Sequence, residues 1–228
     1  MPDVAFKDLC LDALRPELVG PFWAALLGLE AHAQEGGDYQ LRGEPKERTV
    51  WVNRVPEPLA GKSRVHLDVR LPDPLDVPGA TVVRERDAEI GWRVLADPDG
   101  AVLCAFGPHP EHPDAPPGAF ELVVDAADPL AIATWWADRT GATVHQQPGR
   151  PWVWLEGAAG FPYLFWVFNP VPEPKTVKSR VHWDVTLLDA GLDDLLAVGA
   201  TLLRAQDDDI RWSVLADPEG NEFCAFSA

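Results

Sequence analysis

Apolar and polar residues alternate in the stretch 63–71, which places Val65 and Val69 on one face and His66 and Asp68 on the other. A period of two residues is typical of a strand that buries one of its faces. The pattern therefore predicts a strand whose polar face carries imidazole and carboxylate side chains.

Helical segments are indicated by their ends. Asp128-Pro129 combines an N-capping residue with a proline suited to the first helical position, and Gly141 can close a helix in the left-handed conformation. We predict a helix between them, a counterpart over about 16–28 and a shorter helix over about 190–199. The corresponding segment 72–78 contains three prolines, so we expect no full helix there.

The chain contains a long internal repeat. Residues 63–69 recur at 179–185 with six of seven identities, and residues 92–106 match 212–226 at ten of fifteen positions. Such self-similarity is the mark of a duplicated architecture. We therefore expect the matching stretches to fold alike.

A proline-rich stretch, 108–118, separates the two copies and favours an extended connection. The predicted organisation is a first domain at 1–107, this linker, and a second domain at 119–228. Repeated Gly-Ala-Thr motifs divide each half again into two units of strand, helix and about three strands. We expect an α+β fold in which helices cover one face of each sheet and leave the other face free.

Composition narrows the classes of protein. With 46% apolar residues and ten tryptophans the chain can fill real cores, and its apolar runs are shorter than a membrane helix requires. A formal net charge of −17 disfavours nucleic acids and anionic membranes and would favour a cationic ligand. Three cysteines without a zinc-finger or disulfide pattern, and no signal-peptide pattern, predict a cytoplasmic protein with reduced thiols.

The order of elements, Phe22-Trp23 and Leu27-Gly28 in the first helix, and the closing motif at 220–224 resemble the vicinal oxygen chelate superfamily. That superfamily comprises glyoxalases, bleomycin-resistance proteins and extradiol dioxygenases, and the resemblance is closest to glyoxalase-like domains in two tandem copies. It implies that pairs of βαβββ modules curl their mixed sheets into cups that hold a ligand or a metal ion. Four modules imply two cups.

The same resemblance implies positions for metal ligands. They are Asp8, Asn53, His66 and Cys104 in the first half, and Glu121, Asn169, His182 and Cys224 in the second. The histidines fit the pattern, whereas cysteine replaces the last-strand glutamate and an acidic residue replaces the first-strand histidine. Thiolate, imidazole and carboxylate suit zinc, but asparagine is a weak ligand. We therefore expect cups without a catalytic metal, with a divalent ion such as zinc as the alternative.

Aromatic residues crowd two adjacent strands of the second half and leave both of their faces apolar. These rings either line a cup that stacks a planar ligand or fill an interface between modules. The matching region of the first half has only Tyr39 and Trp51, so the two cups should differ. Our candidate ligand-binding residues are His66, His182, Trp51, Trp154, Tyr163 and Phe165.

Two functions remain open at the level of the sequence. The first is a binding protein for a small planar or cationic molecule, acting without a catalytic metal. The second is a metal-dependent lyase or isomerase of the glyoxalase type, with Asp8 or Glu121 as a base. In both cases the expected partner is a small molecule, and self-contained pairing of modules favours a monomer over a homodimer.

Overall fold

The computed structural model describes residues 1–109 and 116–228, which form four units of similar topology. The first unit contains β1 (Val4–Ala13), α1 (Pro16–Leu27), β2 (Glu30–Ala33), β3 (Tyr39–Arg42), a short 3-10 turn (Lys46–Arg48) and β4 (Val50–Arg54). The second contains β5 (Val65–Arg70), β6 (Thr81–Arg84), β7 (Arg93–Ala96) and β8 (Val102–Phe106). The third contains β9 (Gly118–Ala126), α2 (Pro129–Thr140), β10 (Thr143–Gln146), β11 (Val153–Glu156) and β12 (Phe165–Pro170). The fourth contains β13 (Val181–Leu187), α3 (Leu192–Ala197), β14 (Thr201–Arg204), β15 (Ser213–Ala216) and β16 (Glu222–Phe226).

The helices follow the predicted signals. Asp128 caps α2 by accepting a hydrogen bond from the Ala131 amide at 3.1 Å, and Gly28 and Gly141 end α1 and α2 in the left-handed conformation. The stretch 72–78 is not helical, as its prolines indicated. The predicted linker 108–118 extends into residues 110–115, which lie outside the described part of the chain, so the domain boundaries stay a prediction.

The strands form two mixed eight-stranded sheets. Sheet A has the order β14-β15-β16-β13-β1-β4-β3-β2, and sheet B has the order β10-β11-β12-β9-β5-β8-β7-β6. In both, the central pair is antiparallel and is flanked by parallel pairs. The α+β class with mixed sheets is thereby confirmed.

Each sheet combines one unit from each half of the chain. Sheet A joins the first unit to the fourth, and sheet B joins the second to the third. The grouping of candidate ligands by half is therefore wrong. The reason is that the segments 55–64 and 171–180 carry the chain from one sheet to the other instead of continuing the sheet they leave.

The two crossing segments hold one another through buried arginines. Arg64 donates to the carbonyl oxygens of Glu173 and Pro174 at 2.7 and 2.8 Å, and Arg180 donates to the carbonyl of Glu57. Both guanidinium groups are buried, and hydrogen bonds from charged donors are stronger than those between neutral groups. This reciprocal contact fixes the crossover between the sheets.

A second set of contacts joins the two units within each half. The indole Nε1 of Trp23 on α1 donates to Asp97 at 2.9 Å, and that of Trp136 on α2 donates to Asp217 at 3.0 Å. Both tryptophans are fully buried, and both aspartates begin Asp-Pro-x-Gly turns of the neighbouring unit. Each helix is thus fixed to the turn that precedes the last strand of the next unit.

Within the described residues no helix has the length and apolar character needed to cross a membrane.

We expect Asp217→Asn to lower the free energy of unfolding by about 1–3 kcal/mol. The buried carboxylate is surrounded by donors, namely Trp136 Nε1, the backbone amides of Glu219 and Asn221, and the Asn221 side chain. An amide group in its place would direct its own N–H bonds at one of these donors and leave it unpaired.

Urea denaturation followed by tryptophan fluorescence measures this loss. Asp207→Asn is the matched control, because Asp207 also accepts two backbone amides and a side-chain donor, Arg204, but lies in an exposed loop. The control should change stability by no more than about 0.5 kcal/mol. Equal losses in the two variants would contradict the structural role of the buried carboxylate.

Candidate functional site

The strand faces that turn away from the helices carry the polar residues predicted by the alternation. We call the concave face of sheet A cup A and that of sheet B cup B. In cup A, His182, Cys10, Trp51 and Gln40 form one row across four neighbouring strands. The equivalent row in cup B is His66, Val123, Val167 and Trp154. The two cups therefore share a frame but present different side chains.

Cup A contains a cavity of about 660 Å³. Part of its wall is aromatic, formed by Trp51 together with Trp212 and Phe226, whose rings stack with centroids 5.2 Å apart. The buried end of the cavity, which we call the floor, is formed by Cys10, His182, Asp184 and Cys224.

The floor brings several possible metal ligands together. One ligand atom each from Cys10, His182 and Asp184 lies within 4.8 Å of the others. His182 is 8% exposed and Asp184 5%, and His182 Nδ1 and Asp184 Oδ1 have no hydrogen-bond partner among the described residues. Unpartnered polar atoms at such depth are costly, so the cluster is suited to a ligand or an ion that would satisfy them.

Burial is the largest influence on the pKa values of the floor residues. It raises the pKa of Asp184 to about 7, opposed by Lys7 and reinforced by Asp8. Burial, followed by the charge of Asp184, raises the pKa of the Cys10 and Cys224 thiols, and burial lowers the pKa of His182. Without a bound ion the floor therefore holds neutral thiols and a neutral imidazole.

The charged residues around cup A are paired with one another. Lys7 contacts Asp8, Lys178 contacts Asp12, and Lys175 lies 2.6 Å from Glu222. The ammonium group of Lys7 also lies 4.5 Å from the centroid of the Phe226 ring. The net negative charge of the chain is consequently not concentrated in this cavity.

Cup B has the same arrangement of strands as cup A, but its cavity is divided. One ligand atom each from His66, Asp68 and Cys104 lies within 4.8 Å of the others. Two separate cavities of about 420 and 300 Å³ replace the single large one. Burial, followed by the charge of Asp68, raises the pKa of Glu121 to about 8, so this carboxyl group is protonated at neutral pH.

The candidate ligand-binding residues are divided among three places. His182 and Trp51 meet in cup A, whereas His66, Trp154 and Phe165 lie on the concave face of sheet B. Tyr163 lines neither cup cavity and packs in an aromatic cluster, with its ring centroid 5.3 Å from that of Phe161 and 6.4 Å from that of Phe6. Those rings join β1 to the segment before β12.

The candidate metal ligands predicted for each half are divided between the two sheets. Asp8, His182 and Cys224 belong to sheet A, whereas Glu121, His66 and Cys104 belong to sheet B. Sequence reasoning missed Cys10, Asp68 and Asp184 as members of the clusters. The signal was available in the strand period, because each of them stands two positions from a residue already identified on the same face.

The fold is the one that the resemblance to the vicinal oxygen chelate superfamily implied. A family model for the glyoxalase-like domain matches residues 8–106 and again 121–226, so the chain belongs to the glyoxalase-like domain family. No curated protein matches the sequence.

Solved structures show the same fold at low sequence identity. Glyoxalase I from Zea mays is 13% identical with a TM-score of 0.69, over 98% of this chain and 92% of that chain. A protein from Bacillus subtilis named as a dioxygenase is 12% identical with a TM-score of 0.62, over 99% and 86%. The cppA protein from Streptococcus pneumoniae is 11% identical with a TM-score of 0.52, over 99% of both chains.

The superfamily implies a metal ion in a cup, and the floor of cup A fits one. Its donors are thiol, imidazole and carboxylate groups, which are the usual ligands of zinc, and two of its buried polar atoms are unpartnered. Cup B offers the same chemical types with one thiol fewer, since Val123 stands where cup A has Cys10.

We expect the metal-free protein to lose stability as the pH rises from about 5 to about 8, in part through Glu121. The unfolded carboxyl group ionises near its ordinary pKa of 4.5, whereas the folded one keeps its proton up to about 8. In that window the folded state binds more protons than the unfolded state, so raising the pH favours unfolding.

Thermal unfolding in the presence of a chelator, repeated at several pH values, measures this effect. Glu121→Gln should have a shallower pH dependence than the wild type, because its side chain does not ionise. Glu156→Gln, on an exposed part of β11, should leave the slope unchanged. An unaltered slope in Glu121→Gln would contradict the assignment.

Proposed function

We propose that cup A binds a small planar molecule against its aromatic wall. The observation that carries this proposal is the single cavity of about 660 Å³ that Trp51, Trp212 and Phe226 line. Binding sites for small molecules are typically about 300–1,000 Å³, mostly apolar, with a few polar groups that fix orientation. The cavity has that size and that composition.

The charge pairs around the cavity support a planar ligand over a cationic one. Asp8, Asp12 and Glu222 each contact a lysine, so these carboxylates already have cationic partners. At these three positions a cationic ligand would have to compete with the ammonium groups. Aromatic rings, in contrast, can stack a neutral π-system without breaking any of the pairs.

One chain supplies all of the strands of both cups. Sheet A is complete without a second subunit, and so is sheet B. This supports the proposal of a monomer that acts on a small-molecule partner.

The second candidate is a metal-dependent lyase or isomerase of the glyoxalase type, which the floor cluster favours. Cys10, His182 and Asp184, with Cys224 beside Asp184, would hold the ion. When bound, a divalent ion polarises a substrate oxygen as a Lewis acid. Asp8 is paired with Lys7 at the edge of this cluster, where it could accept a proton from substrate.

The planar-ligand proposal predicts that Trp212→Ala and Trp51→Ala each raise the Kd of a planar ligand about tenfold, which corresponds to about 1.4 kcal/mol. Aromatic contacts contribute about 0.5–1.5 kcal/mol beyond their buried area, and truncation also removes that area. The probes are planar aromatic compounds that raise the melting temperature of the wild-type protein, and Kd is then measured by fluorescence titration.

The matched control is Trp92→Ala. Trp92 is the repeat counterpart of Trp212 and stacks on Phe106 in the same way, with ring centroids 5.1 Å apart, but it belongs to sheet B. It should leave the Kd unchanged. A panel in which no planar compound stabilises the protein, or in which Trp92→Ala weakens binding as much as Trp212→Ala, would refute the proposal.

A further inference from the structure

Arginine side chains gather at the larger of the two cavities of cup B. This cavity of about 420 Å³ is lined by Arg70, Arg86 and Arg93. The stacked rings of Trp92 and Phe106 form another part of its wall. The chain has only 19 lysine and arginine residues against 36 acidic ones, so three arginines at one cavity oppose the charge of the whole protein.

The internal repeat shows that the fold does not require these arginines. Neutral side chains replace them at the equivalent positions of sheet A, namely Thr186, Gln206 and Ser213. The stacked rings, in contrast, recur there as Trp212 and Phe226. The positive charge is therefore specific to cup B, whereas the aromatic pair is common to both cups.

Local contacts account for only one of the three arginines. Arg93 donates to Glu85 at 2.7 Å and to the carbonyl oxygens of residues 74 and 75 at 3.0 and 3.1 Å. Among residues 1–109 and 116–228, neither Arg70 nor Arg86 forms an ion pair. Two guanidinium groups at the cavity are thus available to a ligand.

Arg70 is positioned without the use of its hydrogen-bond donors. Its guanidinium lies over the ring of Phe120, 4.1 Å from the ring centroid. Its Nε is buried and has no hydrogen-bond partner in the part of the chain that the structure describes. Stacking on an aromatic ring orients the planar fork, and a buried donor without a partner is costly. The group is therefore suited to an acceptor that a ligand supplies.

The charges at the cavity favour an anion with a single charge. Asp73 also lines the cavity, and Glu85 is paired with Arg93, so three positive charges are set against two negative ones. A carboxylate carries one charge and matches the guanidinium fork with two parallel hydrogen bonds. The rings of Trp92 and Phe106 offer an apolar surface to a flat group attached to it.

We propose that this cavity binds an aromatic carboxylate, with the carboxylate at Arg70 and Arg86 and the flat ring against Trp92. The site is separate from the one proposed in cup A and differs from it in selecting for negative charge. It does not depend on that proposal.

The test is isothermal titration calorimetry of the full chain with 2-naphthoate and its neutral analogue 2-naphthamide. Both probes have the same flat ring system, so the difference between them reports the carboxylate. The wild type should bind naphthoate at least about tenfold more tightly, which is the size expected for hydrogen bonds to a charged group. Inorganic phosphate at the same concentration should not displace naphthoate, because it has no ring.

Arg70→Gln and Arg86→Gln should each raise the Kd of naphthoate about tenfold and leave that of naphthamide unchanged. The matched control is Arg84→Gln, which removes the same charge two residues away. Arg84 is paired with Asp87 and does not line the cavity, so this Kd should stay within about twofold of the wild-type value. Far-UV circular dichroism shows whether each variant is folded. Arg86 is exposed, so its variant keeps the test decisive if Arg70→Gln does not fold.

Equal binding of the two probes, displacement of naphthoate by phosphate, or equal losses in Arg84→Gln and Arg86→Gln would overturn the proposal. Trp212→Ala, which alters the wall of cup A, should leave the naphthoate site intact. Arg70→Gln should in turn leave the binding of neutral planar compounds in cup A unchanged. Failure of one proposal is therefore distinguishable from failure of the other.

Discussion

The antiparallel pairing of β1 with β13, and of β5 with β9, decides which side chains meet in each cup. Because β1 pairs with a strand from the other half, Cys10 stands beside His182 and not beside His66. The pairing of β5 with β9 likewise places Glu121 beside Asp68. These two carboxyl groups would not be neighbours if each half formed its own sheet. The chemistry of both sites is thus a consequence of strand order, and sequence proximity alone does not determine it.

Two sets of contacts connect the four units, one between the halves and one within each half. The sheets and the reciprocal contacts of Arg64 and Arg180 join the two halves, while the pairs Trp23–Asp97 and Trp136–Asp217 join the units inside each half. Every unit is therefore bonded to a partner in its own half and to another across the duplication. Neither half contains all of the strands of one cup, so each cup is built from both halves.

The sequence predicted what is encoded locally. The strand period, the helix caps and the absence of a helix at 72–78 follow from neighbouring residues, and the repeat follows from comparing the two halves. The structure has all four of these features. Strand pairing was not predictable in this way, because the first strands of all four units have similar alternating patterns and any pair of them would bury an apolar face. In the cups, Cys10 was missed because family positions pointed to Asp8, although both lie on the same face of β1. Helix α1 continues through Pro21, and Gly20 in the same helix leaves room for the ring of Tyr39, a contact that no local pattern indicates.

The two cups are related by the internal repeat, so the side chains at equivalent positions can be compared directly. Lys175 and Glu222 form an ion pair at cup A, and their repeat counterparts Leu59 and Val102 are apolar and line the smaller cavity of cup B. Replacing only one member of such a pair leaves a charge unpaired in a largely buried place, which is strongly destabilising. Together with Val123 at the position of Cys10, these replacements make the face of cup B more apolar. Cup A has two thiols, the ion pairs and the larger cavity, and these differences support the proposal that the ligand binds in cup A.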